Sequence, residues 1–452
     1  MNRYGMDTIR GFRCKLSYWM SARDVYDSIQ LMVTIAFALG ITPFLVRKNA
    51  EGVLSMEQSG YGFVNAISRW LLLAYCYTHV NIQDESLIGY FMINHVSQIS
   101  TRAHDIGGII AAVFSFIMPL LQRKDLRKSV DTMVQVDKKL ESLRSPVNFN
   151  TVKGQLILVI TLVVAYDSII ITTWLVCLSK MDVNASWQLN FILVYELLVI
   201  SVTICMFCLM TRTVQRRMTC LHKVLKNLAH QWDSRSLKAV NQKQRSLQCL
   251  DSFSMYTIVT KDPAEIIQES MEIHHLICEA AATANKYFTY QLLTIISIAF
   301  LIIVFDAYYV LETLLGKSKR ESKFKTVEFV TFFSCQMILY LIAIISIVEG
   351  SNRAIKKSEK TGGIVHSLMN KTKSAEVKEK LQQFSMQLMH LKINFTAAGL
   401  FNIDRTLYFT ISGALTTYLI ILLQFTSNSP NNGYGNGYPC CENYNNITNH
   451  TL

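Results

Sequence analysis

The sequence predicts an all-α, polytopic membrane protein with seven transmembrane helices, its N-terminus inside, its C-terminus outside, and long cytoplasmic helical extensions. Three observations predict it. The 452 residues are 51% hydrophobic and only 17% charged, whereas a soluble domain carries about a quarter charged residues. Apolar windows of about 20 residues, enough to cross a bilayer core, recur seven times. Finally, Lys and Arg concentrate in alternate loops, which orients the chain.

The elements follow in order. Residues 1–60 form a cytoplasmic N-terminal region, within which LMVTIAFALGITPFL at 31–45 is apolar but short, carries Pro43 and precedes Arg47 and Lys48. Thirty mixed residues come before it, which is unlike a signal peptide. It is expected to be an embedded or re-entrant segment, with a true eighth span as the alternative. Windows near 61–80, 101–121, 155–178, 187–210, 290–311 and 327–348 make a six-helix bundle within 61–350. Residues 351–403 are expected to form a cytoplasmic anchor helix, 404–425 the last span, and 426–452 a flexible extracellular tail.

The net charge of +12 belongs to the loops. The N-terminal region and the 122–153, 212–287 and 351–402 loops hold 35 Lys and Arg, against 6 in the alternate loops. GKSKRESKFK at 316–325 is the one loop that breaks the pattern. Basic loops without interleaved aromatics do not read as a single-strand nucleic-acid surface, so membrane lipids, not a nucleic-acid polymer, are the expected partner. Sequons at Asn184, Asn446 and Asn449 fall on the predicted outside and are candidate glycosylation sites; Asn370 and Asn394 also match but fall inside. Cys205 and Cys208 lie within an apolar helix, where packing is the simpler role. No Walker-type loop, HExxH, GxSxG or GxGxxG element is present, so neither an enzyme nor a cofactor is expected. His274, His275 and Cys278 share a helical face that reads as a polar helix and not as a metal site.

Polar groups inside the spans are costly in lipid and face a bundle interior or a watery cavity. Tyr166, Asp167, Trp174, Tyr195, Phe305, Asp306, Tyr309, Phe332 and Gln336 are the candidate ligand-binding set. Positions 305, 309 and 312 share one helical face, as do 328, 332 and 336. Aromatic walls with a few placed polar groups are how small-molecule pockets are built. The competing reading is ordinary interhelical hydrogen bonding with an aromatic belt.

In the last span, Thr406 and Gln424 are 18 residues apart, which is five whole helical turns. Thr410, Gly413, Thr417 and Ile420 fall within about 40° of that line. Around a symmetry axis, several copies would present hydroxyl rings, a constriction at Ile420 and a terminal Gln424 ring. Hydrophobic constrictions can gate by dewetting. Small and polar residues also mark simple helix–helix packing, and the residues alone leave both readings open.

The stretch FTAAGLFNIDRTLYFTISGALTTYLIILLQF at 395–425, with Thr417-Tyr418, five apolar residues and then Gln424-Phe425, resembles the C-terminal signature of insect gustatory receptors. YFTYQLLTIISIAFLIIVFDAYYVLETL (287–314), LIAIISIVEGSNRAI (341–355) and FALGITPF are similar to the gustatory subgroup numbered twenty-eight. The resemblance implies seven-helix subunits, assembly as homotetramers or heterotetramers with other gustatory receptors, and a ligand-gated non-selective cation channel at the plasma membrane of sensory neurons. It also implies a pore lined by the last helix, with Gln424 and Phe425 at the extracellular gate. The ligands it implies are small-molecule tastants, ribonucleosides or plant bitter compounds, with warmth or light as further stimuli. A seven-helix G-protein-coupled receptor would need the opposite orientation, against the charge count. A transporter would show internal repeats. A non-conducting partner subunit of a heteromeric receptor stays open as an alternative.

Overall fold

A computed structural model describes residues 22–48, 54–83, 85, 95–181, 184–242, 262–315 and 326–427. The chain is mostly helical. Helix α1 (Val25–Ala38) is capped by Asp24, whose carboxylate accepts the Asp27 N–H at 2.7 Å, which supplies a partner for an otherwise orphan donor. At 14 residues it is about 21 Å long, short of the roughly 30 Å hydrocarbon core. Gly40, at φ +75°, breaks the helix in a backbone conformation that suits glycine. The chain then enters an antiparallel hairpin, β1 (Phe44–Lys48) with β2 (Leu54–Gln58). The 31–45 segment is therefore helix through Ala38 and then a turn that enters β1 at Phe44, and among the described residues the all-α expectation gives way to a mostly helical chain with two small hairpins.

Helix α2 (Gly60–Ile82) turns an apolar stripe of Tyr61, Val64, Ile67, Leu71 and Tyr75 outward. Next come α3 (His95–Leu121), α4 (Arg123–Ser142), α5 (Phe149–Met181), α6 (Trp187–Gln242), α7 (Pro263–Leu314) and α8 (Thr326–Lys371). After α9 (Ala375–His390), the hairpin β3 (Thr396–Ala397) and β4 (Phe401–Asn402) leads into α10 (Thr406–Ser427). Among the described residues, six helices are long and apolar enough to cross a membrane: α3, α5, α6, α7, α8 and α10. Helix α2 has the length, at 23 residues, but Asn65, Arg69, His79 and Asn81 dilute its apolar character. The expected seven helices are thus present, and the count of spans is six or seven according to α2.

Three helices far outrun a bilayer. α6, α7 and α8 have 56, 52 and 46 residues, or about 84, 78 and 69 Å. Their apolar parts continue without a break into the basic regions, so α8 passes straight through residue 350 and the segment expected to be a separate anchor helix starts as its extension. α7 starts cleanly because Asp262 caps it and Pro263, which has no N–H to leave orphaned, takes the first position. It is the hub, touching α3, α4, α6, α8, α9 and α10. In the basic layer, α4 buries Leu126, Val130, Met133, Val136 and Leu140, a spacing that makes one apolar stripe, and packs on α7. Arg217 of α6 is 1% exposed and donates to Asp137 Oδ2 at 2.6 Å and Thr213 O at 3.1 Å.

The β3–β4 hairpin aims the last helix. Ala398 and Gly399 both have positive φ, at 51° and 73°, and Leu400 N–H donates to Ala397 O at 2.9 Å, the geometry of a tight hairpin turn. Asn285 and Thr289 of α7 hold it: Thr396 N–H donates to Asn285 Oδ1 at 3.1 Å and Ala398 N–H to Thr289 Oγ1 at 2.6 Å. Asp404 Oδ1 then accepts the Thr406 N–H at 2.8 Å, and α10 begins.

Candidate functional site

The predicted pocket residues divide into neighbouring groups. Ser100, His104 and Gly107 of α3, Phe305 and Asp306 of α7, and Phe333 and Gln336 of α8 line a cavity of about 30 Å³, close to the space of one water molecule. Asp306 is 4% exposed, and neither its Oδ2 nor Gln336 Oε1 has a hydrogen-bond partner among the described residues. Two unmatched buried acceptors sharing one cavity are costly unless a donor meets them.

Against this cavity lies an aromatic cluster of Trp174, Tyr308, Tyr309, Phe329, Phe332 and Phe333. Trp174 and Phe332 have ring centroids 6.0 Å apart, and Tyr309 and Phe333 5.2 Å. Trp174 Nε1 donates to Asn190 Oδ1 at 2.9 Å, which fixes the indole. Leu422 and Leu423 of α10 pack on the same cluster, two residues and one residue before Gln424. Tyr166 donates to Cys335 O at 3.2 Å, tying α5 to α8, and Asp167 accepts from Ser201 Oγ at 3.1 Å.

Tyr195 stands apart. Its ring stacks on Phe116 and Phe191, at 6.0 and 5.2 Å, and its hydroxyl donates to Leu39 O at 2.5 Å. It holds the end of α1 to α6 and does not line the cavity. Its neighbour Glu196 accepts from Tyr77 of α2, since successive helical residues point about 100° apart. Ser100, His104 and Gly107 were missed by sequence reasoning. Their i, i+4, i+7 spacing was a usable signal, hidden at the polar fringe of an apolar window.

Helix α10 is the least buried candidate span among the described residues, with α5 next. Leu407, Tyr408, Ile411 and Leu415 pack on the main core, and Tyr418 meets Phe300 of α7 edge-on at 6.0 Å. Thr406, Thr410, Gly413, Thr417, Ile420 and Gln424 are all exposed. Their stripe lies about 155° around the helix from the packing face. A Cβ built on Gly413 would meet nothing within 4 Å, so within this chain the small residues do not serve helix packing. Thr410 and Thr417 donate their hydroxyl protons back to Thr406 O and Gly413 O, at 3.4 and 3.0 Å. That leaves oxygen lone pairs turned outward. Phe425 is helical, but its side chain lies outside the described residues, as do Asn446 and Asn449; Asn184 is exposed in the α5–α6 connection.

Residues 29–429 match the family model described as 7tm Chemosensory receptor. The chain is 58% identical to gustatory receptor 28b of Drosophila melanogaster over 442 residues, covering 97% of this chain and 94% of that one. It is 31% identical to gustatory receptor 28a of the same fly over 440 residues, covering 91% and 96%. Its fold is similar to the insect olfactory receptor OR5 from Machilis hrabei, with TM-score 0.61, 12% identity, and coverage of 88% and 97%. The OR5 complex with eugenol gives TM-score 0.59 at 13% identity. By sequence, and with a fold to match, the chain belongs to the 7tm chemosensory receptor family, in its gustatory 28 subgroup, and is a multi-pass membrane receptor.

Proposed function

We propose that the chain is a subunit of a tetrameric, ligand-gated, non-selective cation channel at the plasma membrane of sensory neurons. The observation that carries this reading is the α10 stripe, exposed at every position in the single chain and roughly opposite the face that packs on α7. Four such stripes around an axis would line a conduit with hydroxyl oxygens, which favour cations over anions. Ile420 would be the constriction, and Gln424 with Phe425 the outer gate. With the N-terminus inside, as the distribution of basic residues favours, Gln424 and the Asn184 sequon lie outside.

The ligand is a small tastant rich in hydrogen-bond donors, such as a ribonucleoside, or a bitter compound. It meets Asp306 and Gln336 and spreads the aromatic wall of Phe305, Phe332, Trp174 and Tyr309. The cavity is too small for such a ligand at rest, so entry moves that wall. Leu422 and Leu423 rest on the aromatic cluster, and its displacement carries the end of α10 outward. A ligand shifts this equilibrium only by binding the open arrangement more tightly. Tyr166 and Asp167 hold α5 beside the site, while Tyr195 braces α1.

The test is whole-cell recording from cells expressing this chain alone, against a nucleoside and bitter panel. Ligand-evoked cation current, altered by Gln424→Ala and abolished by Asp306→Ala with surface expression intact, is the expected result. Surface expression without current to any stimulus would overturn the homomeric form and leave the chain as a partner subunit.

A further inference from the structure

A second, larger cavity of about 310 Å³ lies between α5, α6 and α8, where the apolar stretches of all three end. Arg212 and Arg216 of α6 and Arg353 of α8 line it. Arg212 Nη1 and Arg216 Nη2 both donate to a single neutral oxygen, Gln155 Oε1, at 3.2 and 2.5 Å. Among the described residues its one acidic lining group is Glu349, already engaged by Arg405 through two hydrogen bonds of 2.8 and 3.1 Å and by Arg353 at 3.5 Å. Two guanidinium forks therefore converge without a carboxylate between them. Burial, and the charge of Arg212 beside it, push the pKa of Arg216 down, as expected where a cation lacks an anion.

Part of the lining is apolar, formed by Leu156, Val159 and Leu209. It runs onto the lipid-facing surface, where Leu158, Leu162 and Ile342 stand exposed. Arginine forks match phosphate oxygens in pairs, and basic pockets between spanning helices take phosphorylated headgroups. We propose that this cavity binds the phosphorylated headgroup of an anionic membrane lipid, with the acyl chains lying along α5 and α8. The apolar wall argues for a lipid over a free phosphate, which would have no use for it. Headgroup binding would draw Arg353 from Glu349 and leave that carboxylate to Arg405, the residue before α10. The binding does not depend on the channel reading, whereas any effect on current does.

The test uses the full chain purified in detergent, offered equal phosphatidylinositol 4-phosphate and phosphatidylcholine, with bound lipid counted by native mass spectrometry. Retention of the anionic lipid by about tenfold over the zwitterionic one is expected from paired charge-assisted bonds. Arg212→Gln with Arg216→Gln should bring the two lipids near parity, while Lys373→Gln just before α9 with Lys378→Gln on it, which removes the same charge, should leave the preference intact. If the arginine pair fails to fold, Val159→Trp fills the apolar wall and should also lower retention. Parity in the unaltered chain, or equal loss in the lysine control, would overturn the site. Binding of soluble inositol 1,4-bisphosphate as tightly as the lipid would overturn the lipid as occupant.

Discussion

Helices α7 and α10 are both long and apolar enough to span and are packed against each other, yet their surroundings are opposite. In the most apolar stretch of α7, 56% of residues are buried within the chain; in α10 the figure is 6%. α7 is the hub that six other helices enclose, while α10 rests on it by one face and leaves the rest bare. The difference teaches that hydropathy alone does not say what a helix faces. A run of apolar residues with small groups on several sides suits a chain core, whereas one polar stripe opposite a packing face suits a watery axis.

The comparison breaks first at its largest expected effect. Tyr287 of α7 is 1% exposed and sits edge-on to Phe288 at 4.8 Å. Tyr287→Ala should cost about 3–5 kcal/mol, as large-to-small core changes do, and fluorescence-detected gel filtration should show little monodisperse protein. Phe409→Ala on α10, where the ring is 82% exposed, should leave that profile unchanged. Equal losses would mean that α10 is as embedded in the chain as α7.

Next in size is the buried ion pair in the basic layer. Asp137→Ala leaves Arg217 buried without its carboxylate and should destabilise by about 3–5 kcal/mol, read as a fall in apparent Tm. Glu349→Ala, at the foot of α10, should leave Tm nearly unchanged, because Arg405 and Arg353 are more than half exposed and water screens them.

A pH dependence should separate the two regions again. His222, bonded to Thr361 at 2.9 Å, and His274, against Phe384, lie in the basic extensions of α6 and α7. Burial pushes both down to about 4, with Lys357 and Lys226 adding to the effect at His222 and His275 at His274. Both rings are neutral in the fold, while an unfolded imidazole takes up protons near about 6.5. Below that value protons favour the unfolded chain, so stability present at pH 7 is lost as pH falls toward 4. Apparent Tm should drop between pH 7 and 5, and His222→Gln with His274→Gln should flatten the slope. No residue between Thr406 and Gln424 titrates in that range. The smallest effect is at Gly413→Ala, where the added methyl meets nothing; Tm should hold or rise slightly, while unit conductance changes.

Much of this was legible in the sequence. Hydropathy placed a helix at every predicted span, and the 18-residue separation of Thr406 and Gln424 found the exposed stripe before any neighbour was known. The family signature at 395–425 pointed to the same relatives that full-length comparison gives. The continuation of α6 through Gln242 was not legible, because its apolar run ends near 210 and the amphipathic turns beyond look like a loop rich in Lys and Arg. Ser100 and His104 were hidden because they become site residues only when α3 lies against Asp306. Tyr195 misled because an aromatic beside a buried acid reads the same whether it lines a cavity or braces a neighbouring helix.

The central claim, that the α10 stripe faces water on the axis of an assembled channel, is tested most directly by cysteine accessibility. Thr417→Cys and Leu415→Cys place a thiol on the stripe and on the packing face of the same helix. During ligand-evoked current, a membrane-impermeant cationic thiol reagent applied from outside should block Thr417→Cys within seconds and leave Leu415→Cys unaffected. Equal insensitivity of both, or block at Leu415→Cys alone, would contradict the account.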